Sequence, residues 1–316
     1  MKDTCCILAA GGLWGMISVF IRTLQKAGFT SMQCVAIRAF FTALVLLLYV
    51  CAKDPRSLRI HLRDIPLFVG TGIFSILLFN YCYFEAIEVI GGAAVPALLM
   101  YTAPIFVMIL SAVLFHERIT KHKLFALVLT FVGLGFVTGA FTGGEMLSAK
   151  AVLLGLGSGF GYALYSIFGK YLVDKYSSVT ITFYTFLMTS IGAIPMSGIA
   201  RQLPALFSGK CIICALGLAF FCTVLPFLLY TAGLTRVEAG KASIFATIEP
   251  FSAAIVGFFL FQEQFTVSKV AGMLCIFFAI VYLNVSADFM PFAYKSKEIC
   301  WSANTESPSG ENYFGI

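Results

Sequence analysis

The chain is written twice. Residues 5–141 and 151–287 align without a gap at a constant offset of 146. Gly11, Gly15, Ala86, Pro104, Phe115, Glu117, Thr120 and Lys123 return as Gly157, Gly161, Ala232, Pro250, Phe261, Glu263, Thr266 and Lys269. Trp14 before its glycine becomes Phe160 before its own, and eight of the 30 positions between 104 and 133 are identical. Apolar composition yields chance matches, but it does not set a Pro and a Glu thirteen residues apart in both copies.

What the repeat implies depends on its environment. Hydrophobic residues make up 60% of the 316 and charged ones 11%, with a mean hydropathy of +0.95. A soluble domain carries about 45–50% apolar and about 25% charged residues, so this composition belongs in a bilayer. Crossing the hydrocarbon core takes roughly 20 helical residues. Ten segments meet that length: 5–23, 31–52, 66–86, 93–115, 122–141, 151–171, 177–198, 212–232, 239–261 and 268–287. Each copy holds an odd number of spans, so the second crosses the membrane in the opposite sense. The predicted fold is an all-α membrane protein whose ten transmembrane helices form two inverted five-helix repeats, 1–145 and 146–287. Residues 288–316, rich in Lys, Ser, Asn, Pro and Gly, are expected to form a disordered cytoplasmic tail. The first span is not read as a signal peptide, because it has a full counterpart at 151–171. Inverted repeats of this kind recur in secondary transporters.

Basic residues orient the chain. With both termini in the cytoplasm, 14 Lys and Arg fall in inner segments and six in outer ones, which the positive-inside rule favours. The net charge of +6 is scattered through loops, so nucleic acid is not an expected partner. Of the ten cysteines, Cys34, Cys82, Cys214, Cys222 and Cys275 fall in apolar runs, where they act as small hydrophobes. Cys211 and Cys214 form a lone CxxC with no second pair, and neither a metal nor a cofactor is expected.

Two charges lie well inside spans: Arg38, seven residues into the second, and Glu249, ten residues into the ninth. A central charge costs about 2.5–3.5 kcal/mol on insertion scales, so it faces protein or water. Glu249 reads as a counter-charge for a substrate ammonium, as a proton-coupling carboxyl, or as a structural group paired with a partner such as Arg38. Helix 4 carries Ala103 at the equivalent position, so the carboxyl breaks the internal symmetry. Pro96, Pro104 and Pro250 are candidate hinges, since each removes a backbone donor. Glu117 and Glu263 read as anchors of helix ends, and the Gly-xxx-Gly pairs 11/15 and 157/161 as close helix contacts. Trp14, Asn80, Tyr81, Tyr101, Ser158, Tyr162, Phe227 and Tyr230 are candidate substrate-binding residues, with Tyr165 among the same aromatic cluster. Their buried hydroxyls and amide need partners, which a wet cavity would supply.

The Trp-Gly or Phe-Gly of helices 1 and 6, the Pro/Glu spacing of helices 4 and 9, and Ile248-Glu249-Pro250 together resemble an EamA-type member of the drug/metabolite transporter superfamily. The resemblance spans residues 5–287. It implies a cavity lined mainly by helices 1, 3, 4, 6, 8 and 9, and alternating access for a small metabolite, often an amino acid and often exported. The partners expected are therefore that metabolite, membrane lipid and, as a coupling ion, protons. A passive channel remains open, as does a membrane enzyme acting on a lipid-linked substrate. For the enzyme, the cluster His116, Glu117 and His122 is the one candidate set. No HExxH, Walker-type loop or deep paired carboxylates accompany it, and Gly155–Gly161 lies within a span rather than before a soluble helix.

Overall fold

The computed structural model describes residues 2–140, 148–262 and 266–288, so Glu263 and nearly all of the tail lie outside the described residues. Those described form helices and connecting turns without a strand. Among the described residues, ten helices are long and apolar enough to cross a membrane. They are α1 (Lys2–Lys26), α2 (Ser31–Lys53), α3 (Leu62–Ile90), α4 (Ala94–Leu114) and α5 (Lys121–Thr138), then α6 (Ala149–Leu172), α7 (Ser178–Ser197), α8 (Gly209–Leu234), α9 (Ala239–Phe261) and α10 (Val267–Val285). All ten expected segments are present. Large apolar side chains such as Leu48, Val113 and Phe259 are mostly exposed, as a lipid-facing surface requires.

Several spans are not continuous α-helices. α4 divides into Ala94–Met100 and Ala103–Leu114, and α9 into Ala239–Ala246 and Glu249–Phe261, at the same place in the two copies. Pro104 and Pro250 each sit in the first turn of the second piece, where a missing N–H is no loss. Neither proline has an N–H to donate to the carbonyl four residues back, Met100 or Ala246, and the first piece ends at that residue in both copies. The break expected at Pro96 is absent. Pro96 lies in the first turn of Ala94–Met100 and is accommodated in the same way. π-helical turns at Gly70–Leu77 in α3 and Phe220–Val224 in α8 occupy overlapping positions of the repeat and were not anticipated. Such turns widen the helix and release a carbonyl from the regular ladder; Gly72 O is taken by Thr189 Oγ1 of α7 at 3.0 Å. α1 also breaks, between Trp14 and Ile17, whereas α6 runs unbroken from Ala149 to Leu172.

Contacts between the halves are reciprocal. α1 packs on α8 and α9 while α6 packs on α3 and α4; α2 meets α7, α4 meets α9, and α5 meets α10. Lipid tails are as apolar as leucine, so close packing holds these helices together rather than escape from water. Gly11 and Gly15 make this packing possible in α1. A Cβ at Gly15 would stand 2.6 Å from Ser252 Cβ and 2.9 Å from Glu249 O. In α6, of the expected pair, Gly161 is pressed on α3, where a Cβ would stand 2.9 Å from Phe79 N, while Gly157 meets Cys82 of α3 at 3.4 Å; the glycines pressed on α4 are Gly155 and Gly159. The register of this contact is thus shifted by two residues between the copies.

Candidate functional site

The broken helices converge on a small cavity of about 50 Å³, deep in the bundle. Its wall comes from α1 (Trp14, Ile17), α2 (Arg38), α3 (Ile76, Phe79), α6 (Tyr162, Tyr165, Ser166), α8 (Phe227, Tyr230) and α9 (Glu249). The expected helix set is therefore modified: α2 contributes a wall residue, and α4 contributes none of these. The lining residues recur at i and i+3 on α1, α3, α6 and α8, the spacing that puts side chains on one face.

Aromatic rings form most of the wall. Trp14 meets Phe227 at 5.2 Å and Tyr230 at 5.5 Å between ring centroids, and Tyr165 meets Phe227 edge-on at 5.0 Å. The hydroxyls expected to need a wet cavity are satisfied by neighbouring side chains. Tyr165 OH and Thr231 Oγ1 are 2.7 Å apart, and Ser166 Oγ and Tyr230 OH 2.8 Å. What remains polar and facing the cavity is chiefly charge. Glu249 opens the second piece of α9, and its carboxylate accepts from Tyr162 OH at 3.3 Å. Tyr101, buried at the break in α4, interacts with the same carboxyl, and Arg38 is coupled to it electrostatically. Arg38 is 6% exposed, and its Nε has no hydrogen-bond partner. The cavity thus carries one cationic and one anionic group within an aromatic box.

Of the residues singled out from the sequence, Trp14, Arg38, Tyr162, Tyr165, Phe227, Tyr230 and Glu249 line this cavity together. Four others are not part of its wall: Tyr101, which reaches the Glu249 carboxyl from the break in α4, and Tyr81, Asn80 and Ser158. Tyr81 lies on the outer surface, 39% exposed, because two residues along α3 from Phe79 is more than half a helical turn. Asn80 is buried but donates to Ile76 O of its own helix at 2.7 Å, and Ser158 likewise donates to Gly155 O at 2.7 Å. Ile17, Ile76, Phe79 and Ser166 were missed; Ile17 is the i+3 partner of Trp14 and Ser166 the i+4 partner of Tyr162, which was the available signal, whereas Ile76 and Phe79 pair with each other on a face that carried no signal.

A second charged group closes the membrane end to which the N-terminus belongs. Glu117, just past α4, accepts from the backbone N–H of Ala239 at 2.8 Å and of Gly240 at 3.2 Å, capping the start of α9. Lys123, only 2% exposed, stands 2.8 Å from Glu238 and 3.8 Å from Glu117. Burial raises the Glu238 pKa, but the adjacent ammonium groups of Lys123 and Lys241 outweigh it, leaving the carboxyl below the ordinary glutamate range. Glu117 thus anchors a helix end as expected, while the burial of Lys123 had no sequence signal. His122 turns away to Tyr282, with Nδ1 and the phenol oxygen 2.8 Å apart, so it does not converge with Glu117.

The sequence profile of the EamA-like transporter family matches the chain twice, over residues 2–139 and 149–285. An uncharacterized transporter of Archaeoglobus fulgidus is 30% identical over 266 residues, covering 84% of this chain and 90% of that protein. The uncharacterized transporter YetK of Bacillus subtilis is 24% identical over 271 residues, covering 83% and 80%. The uncharacterized inner membrane transporter YicL of Salmonella typhimurium is 23% identical over 285 residues, covering 89% and 94%. A solved crystal structure of 15% identity superposes with a TM-score of 0.74 over 90% of this chain and 97% of its own, a likeness of fold. With two profile matches and ten spans folded around one charged cavity, this chain belongs to the EamA-like transporter family.

Proposed function

We propose that the protein is a secondary transporter that exports a small amphipathic metabolite of amino-acid type by alternating access. The observation that carries this reading is the placement of Arg38 and Glu249, opposite charges on one aromatic-walled cavity. A guanidinium suits a substrate carboxylate, a carboxylate suits an ammonium, and aromatic faces suit an apolar side chain or a cation. Export and amino-acid chemistry draw their further support from the family resemblance. A volume of about 50 Å³ holds only a few waters, against roughly 300–1,000 Å³ for a site engulfing a drug-sized ligand. Binding therefore requires the bundle to open, and the paired breaks in α4 and α9 are the natural places to flex. Glu249 acts as the charge-selective or proton-linked group. The reciprocal contacts between halves support two repeats of opposite orientation, and the loop charges support cytoplasmic termini in a cell membrane.

The test is counterflow of labelled amino acids in proteoliposomes, with and without a pH gradient, for the wild type and Glu249→Gln. The variant is expected to lose most transport or its gradient dependence. Unchanged rates with unchanged gradient dependence would refute the role of Glu249. Flux that fails to saturate would replace the carrier with a channel.

A further inference from the structure

A second cavity lies away from the central one, at the membrane end shared by the start of α3 and the α6–α7 turn. It is open, about 1020 Å³, and its wall includes Arg59, His61, Arg63, Asp64, Lys175 and Thr180. The segment carrying the two arginines is held in place. Tyr184 OH donates to Leu58 O at 2.7 Å, Thr180 Oγ1 donates to Ser57 O at 2.9 Å, and His61 N–H donates to Tyr176 OH at 3.0 Å. Asp64 is the one acid in the wall, and it is spent: it accepts from Lys175 Nζ at 2.6 Å and Tyr176 OH at 2.7 Å. Arg59 and Arg63 are exposed, and among the described residues neither forms an ion pair. The wall also includes Ser177, the N-cap of the 20-residue helix α7. Its first turn therefore adds the positive end of a helix dipole to the two guanidinium groups.

We propose that this cavity binds a phosphate-bearing anion, with the phosphate held by Arg59 and Arg63. Guanidinium forks match phosphate geometry, and basic pockets at a membrane end bind phospholipid headgroups. The lipid source is favoured by Leu62, which is 80% exposed between His61 and Arg63 and suits the headgroup–acyl boundary. Soluble phosphate offers the same chemistry, and the experiment separates the two.

Thermal unfolding of the full chain in neutral detergent is followed against short-chain phosphatidylglycerol, short-chain phosphatidylcholine and inorganic phosphate. A ligand of the folded state raises the unfolding temperature by mass action. Phosphatidylglycerol is expected to stabilise the wild type and phosphatidylcholine not to. Arg59→Gln/Arg63→Gln should bind phosphatidylglycerol about 30-fold more weakly. Arg59→Lys/Arg63→Lys should keep much of the effect, and Arg201→Gln, at the other membrane end, all of it. Stabilisation by inorganic phosphate alone, abolished by the glutamine pair, would assign the site to a soluble anion. Equal response to the two lipids, no response to any probe, or an unchanged response in the glutamine pair would overturn the proposal. Should the glutamine pair fail to fold, salt decides on the wild type. The phosphatidylglycerol gain must shrink between about 50 and about 500 mM NaCl, and a gain indifferent to salt would sink the site.

Discussion

Single side chains set both ends of the proposed mechanism. Glu117 satisfies two otherwise orphaned amides at the start of α9, and loss of a cap costs about 0.5–2 kcal/mol. Glu117→Ala should therefore lower the unfolding temperature measurably, while Glu117→Gln, which keeps an acceptor, should fall between it and the wild type. Glu238 makes a further prediction. Its folded pKa lies below the unfolded value, so its contribution is complete above the unfolded pKa and is lost as pH falls through the folded one. Stability measured downward from about pH 6 should therefore drop less in Glu238→Gln than in the wild type; identical acid dependence in both would disprove the pairing. Arg38 and Glu249 were legible from the sequence because charge in a long apolar run is rare. Lys123 was not, because a lysine beside a helix start resembles an ordinary loop cation until α9 brings Glu238 to it.

At the scale of elements, the spans were readable from hydropathy, but their interruptions only in part. The breaks in α4 and α9 carry a proline signature. The π-helical turns of α3 and α8 and the break in α1 do not; in α3 the carbonyl of Gly72 is held by Thr189 of a different helix, a contact between residues far apart in sequence. Contact between α1 and α9 is a sharper test. A methyl group at Gly15 would press on Ser252 and on the carbonyl of Glu249, whereas one at Gly92 meets nothing within 4 Å. Gly15→Ala should displace the Glu249 segment and reduce transport several-fold, with a stability loss of about 1–3 kcal/mol from overpacking. Gly92→Ala should leave transport unchanged. Equal behaviour of the two would show that this contact does not position the carboxyl.

For the whole molecule, the reciprocal contacts between the halves match the duplication seen in the sequence. The duplication could not foretell the shift from the Gly157/Gly161 pair to Gly155 and Gly159 at the α4–α6 contact. Accessibility labelling tests the proposed orientation: single cysteines at Arg118 and Arg201 should react from opposite sides of the membrane, in a background whose exposed Cys5 and Cys51 are replaced. Labelling from one side would undo the inverted arrangement.

The narrow centre has an electrical corollary. A space of about 50 Å³, walled by rings, has room for a few waters and not for a column of hydrated ions. Bilayers holding this protein without cargo should stay as insulating as bare lipid, and a steady current under voltage would mean that the resting bundle leaks.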